Sequence, residues 1–106
     1  QEMPTGEYRK RTEKNILDSD GTLIVSHGPL SGGSALTRDL AKKHKKCWIH
    51  IDMQELTLEA AAASLASWIE KNRIVTLNVA GPRASKDQKI YAATLELLER
   101  AFLPER

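Results

Sequence analysis

The sequence has few aromatic residues, a single cysteine and no long hydrophobic run. Aromatic residues make up 5% of the chain, and the formal net charge is only +2. The basic residues are poorly interleaved with aromatic ones, so a base-stacking nucleic-acid surface is not expected. The lone Cys47 forms no internal disulfide, which indicates a reducing, cytoplasmic setting. No stretch approaches the roughly 18 apolar residues of a membrane span, so we expect no membrane partner.

What the sequence does contain is typical of a water-soluble globular protein. The chain has 106 residues, of which 41% are hydrophobic and 28% are charged. That length is about one small domain, and we expect residues 1–106 to form a single domain.

Apolar periodicity predicts helices and strands in alternation. Helices are expected over residues 8–17 and 34–44, over a segment that begins at the N-cap Thr57 and ends at Arg73, and over a last segment opened by a Ser85–Gln88 capping box and closed by Pro104. Strands are expected over residues 22–26, 47–51 and 74–79, and the second is apolar enough to be buried on both faces.

One helix followed by three strand–helix units predicts a parallel sheet covered by helices on both faces. This is a three-layer, Rossmann-like α/β domain. Three parallel strands make a thin sheet, and no strand precedes the first helix. We therefore expect that a strand–helix unit precedes Gln1 in the natural protein or is supplied by a partner chain. A homo-oligomer, such as a dimer, would also cover the edges of the sheet.

The most informative stretch is TLIVSHGPLSGGSALT, residues 22–37. A run of β-branched and apolar residues ends in a glycine-containing loop, and Ser34 is a suitable N-cap for the helix that follows. Strand, glycine loop and helix start together favour an anion or a nucleotide-like ligand, because backbone amides and the positive helix end are left facing it. The loop lacks a Walker lysine and differs from the G-x-G-x-x-G fingerprint. A tight turn without a ligand is the alternative.

Ligands of parallel sheets bind at the carboxyl ends of the strands, where three segments of this chain converge. These segments contain Ser26 to Gly28, His50 with Asp52, and Asn78 with the loop that ends in Arg83. The guanidinium of Arg83 suits a phosphate or another oxyanion, although a surface ion pair explains it equally well. His50 is expected to be a hydrogen-bonded strand histidine, and the histidines and Cys47 have no metal-ligand spacing. A triad of Ser26 or Ser31 with His50 and Asp52 is a minor alternative.

Two aspartates, Asp18 and Asp20, lie beside Gly21. They fit turn chemistry better than a metal site, because aspartate side chains accept hydrogen bonds from nearby backbone amides. The basic end of the second helix, residues 42–46, is expected to be a solvated surface, since cations favour helix C-termini.

Several motifs in combination resemble the molybdenum carrier protein family. They are RT at residues 11–12, Asn15, DSDG at residues 18–21, GP at residues 28–29, GG at residues 32–33 and NVAGPR at residues 78–83. The resemblance covers nearly the whole chain, residues 3–102, and implies a Rossmann-like domain related to lysine-decarboxylase-like and nucleotide-sensing proteins. The family has a further N-terminal strand and glycine turn, so this chain would be the C-terminal two-thirds of the family domain.

The resemblance implies non-catalytic binding of molybdenum cofactor (molybdopterin) or a related phosphorylated pterin or nucleotide-like ligand. The glycine loop lacks the catalytic glutamate of phosphoribohydrolase-like relatives, which argues against their N-glycosidic cleavage. Two alternatives stay open: a nucleotide-processing enzyme with Asp52 or Asp20 as the acid, and a structural module without a ligand. The candidate ligand-binding residues are Ser26, Gly28, Ser31, Gly32, Gly33, Ser34, Thr37, Gly81 and Arg83, with Arg11 and Asn15 from the first helix.

Overall fold

The computed structural model describes residues 5–30, 32–80 and 88–102. Seven elements follow one another: α1 (Thr5–Leu17), β1 (Gly21–Ser26), α2 (Gly32–Lys43), β2 (Cys47–Asp52), α3 (Leu58–Lys71), β3 (Leu77–Ala80) and α4 (Gln88–Phe102). The predicted capping residue Ser85 and the predicted end at Pro104 lie outside the described residues.

The strands form a parallel sheet in the order β2-β1-β3. Gly21 pairs with Cys47 on one side of β1 and with Leu77 on the other, and Ser26 pairs with Asp52 at the carboxyl end. All six residues of β1 are buried, as expected of a central strand. β2 packs on both faces, with Ile49 and Ile51 against the larger core cluster and Trp48 against the smaller one, but only Ile51 is fully buried. The expected burial of β2 on both faces is therefore only partial. The physical reason is that β2 has a neighbour on one side only within the described sheet.

Helices cover both faces, which confirms the three-layer α/β architecture. Leu23, Val25 and Ile51 pack with residues of α3 and α4 in the larger core cluster. A smaller cluster on the opposite face joins Ile16 of α1 to Leu40 and Ala41 of α2. The side chains of Ser26, His50 and Asp52 alternate with the first set along their strands, so they point to the α1–α2 side of the sheet.

Two helices end in the same way, with a non-glycine residue in the left-handed conformation. Lys45 (φ 56°) follows α2 and Arg73 (φ 53°) follows α3. The amide of Ile74 donates to the carbonyl of Ile69, and that of Arg73 to Glu70. This pair of hydrogen bonds is the Schellman motif, and the amides of Lys46 and Lys45 repeat it on α2. At the other end of α3, the predicted N-cap is confirmed, because the Thr57 hydroxyl accepts from the amide of Ala60 at 3.1 Å.

The third strand is shorter than predicted and begins at Leu77, not at Ile74. Asp20 explains the difference, because its Oδ2 accepts hydrogen bonds from the amides of Val75 (2.9 Å) and Thr76 (2.8 Å). These hydrogen bonds hold the pKa of Asp20 below its ordinary value, with the bond from Thr76 the larger cause. Asp20 accepts hydrogen bonds from backbone amides, as expected, but its donors lie 55 and 56 residues along the chain and not in the local turn. Its place at the amino edge of the sheet separates it from the glycine loop.

Candidate functional site

The carboxyl ends of β1 and β2 place three of the polar residues singled out in the sequence at one edge of the sheet. Ser26 ends β1, Asp52 ends β2 and pairs with it in register, and His50 lies two residues before Asp52 on the same face. The chain leaves Ser26 through residues 27–30, here called the Gly28 loop, and then enters α2 at Gly32. Gly28 is the buried residue of this loop, whereas His27 and Pro29 are exposed.

The peptide groups of Gly28 are held by side chains on both strands. Its amide donates to Oδ1 of Asp52 at 2.7 Å, and its carbonyl accepts from the hydroxyl of Ser26 at 2.6 Å. Gly28 has φ +97°, a conformation that disfavours any side chain. The glycine is therefore required by the backbone, and its amide is already used within the protein.

Ser26 also contacts His50, with 2.7 Å between the hydroxyl oxygen and Nε2 of the imidazole. A serine hydroxyl has one proton, and here it points to the Gly28 carbonyl, so Nε2 of His50 carries the proton and donates to Ser26. The expected role of His50 as a hydrogen-bonded strand histidine is confirmed. His50 is half-buried and Ser26 is buried.

Asp52 is an acceptor for two backbone amides. Its Oδ1 accepts hydrogen bonds from the amide of Gly28 and, at 2.9 Å, from the amide of Gln54. Those two hydrogen bonds, with that from Gly28 the larger, hold the pKa of Asp52 below its ordinary value, and the charges of His50 and His27 act in the same direction. An acid with a lowered pKa is ionised at neutral pH and is a poor proton donor. This argues against Asp52 as a general acid.

The Ser–His–Asp arrangement that the sequence left open is not assembled from Ser26. The proton of Ser26 is donated to a backbone carbonyl, and Oδ1 of Asp52 is engaged with two amides of the loop. In a hydrolytic triad the histidine would accept the serine proton and the aspartate would hold the imidazole. Ser31, the other candidate nucleophile, lies outside the described residues.

The start of α2 is open and carries no acid. Gly32 has φ +55°, and a Cβ built on it would meet no atom of the described residues within 4 Å. No acidic residue lies in the first turn of α2, so nothing in that turn offsets the positive end of the helix dipole. Amides of a first helical turn have no partner within the helix. An anion is therefore favoured at this position by charge and by space.

Ser34 lies differently from what the sequence predicted, and Thr37 is engaged within the helix. The helix begins at Gly32, so Ser34 lies inside its first turn and is not the N-cap. Thr37 is buried and its hydroxyl donates to the carbonyl of Gly33 at 2.9 Å. The hydroxyl of Thr37 thus bonds within the helix, to the residue one turn before it.

Two of the other candidate residues lie on the first helix, and three lie outside the described residues. Arg11 and Asn15 are exposed on α1, the helix that packs beside α2. Gly81 and Arg83 lie outside the described residues, as does Ser31, so their part in the site stays a prediction. Asn78 of β3 donates to the hydroxyl of Thr22 at 3.2 Å and joins the two strands.

The remaining histidine and cysteine lie near the amino edge of the sheet. His44 follows α2 and contacts Glu13 of α1 at 2.5 Å, and Cys47 donates weakly to Asn72 at 3.6 Å. Within residues 5–30, 32–80 and 88–102, no group of three or more His, Cys, Asp or Glu residues is arranged to hold a metal ion. None of the helices in that part of the chain is long and apolar enough to cross a membrane.

Comparison with known proteins gives the family. The model of the circularly permutated YpsA SLOG family matches residues 1–102. This chain belongs to that family. A crystal structure of a protein from Syntrophus aciditrophicus SB, named a putative molybdenum carrier protein, is 57% identical in sequence and superposes with a TM-score of 0.87. The resemblance found in the sequence is thereby confirmed. No curated protein matches the chain.

The match to the Syntrophus protein covers 95% of this chain and 64% of that one. This SLOG family chain therefore spans less than two thirds of the relative. Activities and partners of the whole relative are consequently matters for proposal.

The sequence predicted that Ser26, His50 and Asp52 would lie at one edge of the sheet. It did not predict the hydrogen bonds that join them through Gly28. The role of Asp52 as the acceptor for the Gly28 amide depends on strand register, which no local pattern reveals. One of the hydrogen bonds of Asp52 is local. Its side chain accepts from the amide two residues on, that of Gln54, which is the Asx turn that an aspartate after a strand often forms.

Proposed function

We propose that this chain binds molybdenum cofactor, or a related phosphorylated pterin or nucleotide-like ligand, without transforming it. The observation that carries the proposal is the 57% identity to a protein named as a putative molybdenum carrier. The geometry supports it, because a glycine loop leads from a buried strand into an open helix start.

The residues at the carboxyl edge fit a phosphate group. The open space at Gly32, the positive φ of Gly28 and Gly32, and the absence of an acid from the first turn of α2 all suit an anion at short range. Such a ligand supplies the phosphate and a polar ring. The chain supplies the amides of Gly32 and Gly33 at the helix start, with the hydroxyl of Ser34 beside them.

The lowered pKa of Asp52 and the engaged proton of Ser26 support carriage rather than turnover. The residues that would be needed as an acid or a nucleophile instead hold the Gly28 loop. Arg11, Asn15, Ser31, Thr37, Gly81 and Arg83 are kept as proposed ligand-binding residues on the strength of the sequence. We also keep a cytoplasmic location and a homo-oligomer as parts of the proposal.

A binding and turnover experiment tests the proposal. Pterin phosphates, nucleoside monophosphates and molybdate are added to the purified protein, and the melting temperature and the release of free base are followed. We expect a rise in melting temperature with the phosphorylated compounds and no base release. Turnover of a nucleoside monophosphate that disappears in Asp52→Ala would establish the enzyme instead. No thermal response to any compound would favour the structural module.

A further inference from the structure

Two hydrogen bonds hold Gly28 of the loop, and a third links one of them, through Ser26, to a histidine. Nε2 of His50 lies 2.7 Å from the Ser26 hydroxyl, which lies 2.6 Å from the Gly28 carbonyl. On the other side, the Gly28 amide lies 2.7 Å from Asp52. We infer that His50 is a positioning residue for the ligand site, acting through Ser26 to fix the orientation of the Gly28 peptide and so the path of the loop into α2.

The number of protons on the Ser26 hydroxyl determines the direction of the hydrogen bond between His50 and Ser26. The Ser26 hydroxyl has one proton, which it donates to Gly28, so it can only accept from His50. If His50 were removed, the buried oxygen of Ser26 would lose its donor, and the hydroxyl would be free to rotate away from Gly28. The side chain of His50 is thus linked to the loop without being part of it.

The conformation of Gly28 makes the loop sensitive to this link. At φ +97° the backbone lies in a sparsely populated region that surrounding contacts must maintain. Asp52 fixes only the amide of Gly28, and the carbonyl depends on Ser26. Since only three residues separate Gly28 from the start of α2 at Gly32 in the sequence, rotation of this peptide is expected to move the helix amides relative to a bound phosphate.

The inference rests on the proposed function for its effect on binding, but the hydrogen-bond chain is tested without any ligand. In the ¹⁵N-labelled protein, long-range ¹H–¹⁵N spectra of His50 report its tautomer, and the amide resonance of Gly28 reports the loop. We expect the Nε2–H tautomer in the neutral imidazole and a displaced Gly28 resonance in His50→Leu. A neutral His50 protonated on Nδ1, or an unchanged Gly28 resonance in the variant, would overturn the inference.

The expected effect of His50 on ligand binding is tested by NMR titration of the protein with inorganic phosphate. Loss of one hydrogen bond in the chain is expected to weaken phosphate binding roughly five- to tenfold. His50→Gln keeps an N–H donor at similar reach and should restore most of the affinity, which a merely space-filling role would not predict. Equal affinities in His50→Leu and the wild type would contradict the inference.

Two further variants separate positioning from loss of stability. Ile51→Val alters the adjacent residue of β2, on the opposite face of the sheet, and should lower stability without changing the Gly28 resonance or the phosphate affinity. Ser26→Ala removes the middle of the chain, so combining it with His50→Leu should add little to either effect. Additive effects would mean that His50 does not act through Ser26, which would contradict the inference.

If the wild type binds no phosphate, the proposed function fails, while the Gly28 resonance still decides whether His50 positions the loop.

Discussion

At the scale of single residues, this site depends on backbone conformation more than on reactive side chains. The polar side chains nearest the loop hold its peptides, and the space around Gly32 is open. The glycines of the loop therefore differ in what they do, and substitutions should separate them.

Gly28→Ala is expected to destabilise the protein by about 1–3 kcal/mol, because φ +97° strains any residue with a side chain. It should also abolish phosphate binding by displacing the loop. Urea-induced unfolding and NMR titration measure the two effects. Gly32→Asn is the matched control: φ +55° is tolerated by asparagine and an added Cβ meets no atom of the described residues within 4 Å, so stability should change little. A Gly28→Ala protein as stable as the wild type would refute the backbone requirement.

Asp20 makes a testable contribution to the acid stability of the protein. Its pKa is lowered in the folded state, so its stabilising effect is fully present above the unfolded value, near 4. The effect is lost as the pH falls through the lower folded value. Urea-unfolding midpoints from pH 6 to 3 should therefore fall more steeply for the wild type than for Asp20→Asn. Parallel curves would contradict the role given to its hydrogen bonds from Val75 and Thr76.

At the scale of elements, the described helices and strands follow the apolar pattern of the sequence, but their ends depend on tertiary contacts. The cap at Thr57 was predictable because it requires only neighbouring residues. The late start of β3 was not, because Asp20 lies 55 residues from Val75 in sequence. The exposure of β2 likewise follows from strand order, which a local pattern does not contain. The glycines of the site could be recognised from the sequence. The hydrogen-bonded link from His50 through Ser26 to Gly28 could not, because it depends on the register between β1 and β2.

The ends of α2 and α3 offer a stabilising change. Lys45 and Arg73 occupy left-handed positions that glycine adopts without steric cost. Lys45→Gly and Arg73→Gly are each expected to stabilise the protein by roughly 1 kcal/mol, as measured by urea-induced unfolding. The matched control is Lys42→Gly in the last turn of α2, which should destabilise by about 1 kcal/mol. Loss of stability in both left-handed variants would contradict the assignment of their backbone conformation.

At the scale of the whole molecule, the sheet separates two helical layers, one that forms the larger core and one that faces the proposed ligand site. The α3–α4 layer packs on the larger apolar core, while the α1–α2 layer faces Ser26, His50 and Asp52. Stability and ligand binding should therefore separate. Leu65→Ala, in the fully buried centre of α3, should cost about 2–5 kcal/mol and leave the phosphate affinity of the folded protein unchanged. A large loss of affinity in this variant would show that the two layers are coupled.

Oligomeric state also belongs to the whole molecule. Within the described sheet, β2 and β3 each pair on one side only, and the expected homo-oligomer would cover such edges. Sedimentation equilibrium of the purified protein should give a mass of two or more chains, each of 11.8 kDa. A monomer at all concentrations would contradict this expectation.

The central claim is that a phosphorylated ligand binds at the carboxyl edge of the sheet and leaves unchanged. The most direct measurement is an NMR titration of the ¹⁵N-labelled protein with a pterin phosphate, followed by analysis of the recovered compound. The account predicts saturable shifts of the amides of Gly28, Gly32 and Gly33, with the compound recovered intact. Shifts confined to the amino edge around Asp20 and Lys45, no shifts at all, or recovery of a cleaved product would contradict it.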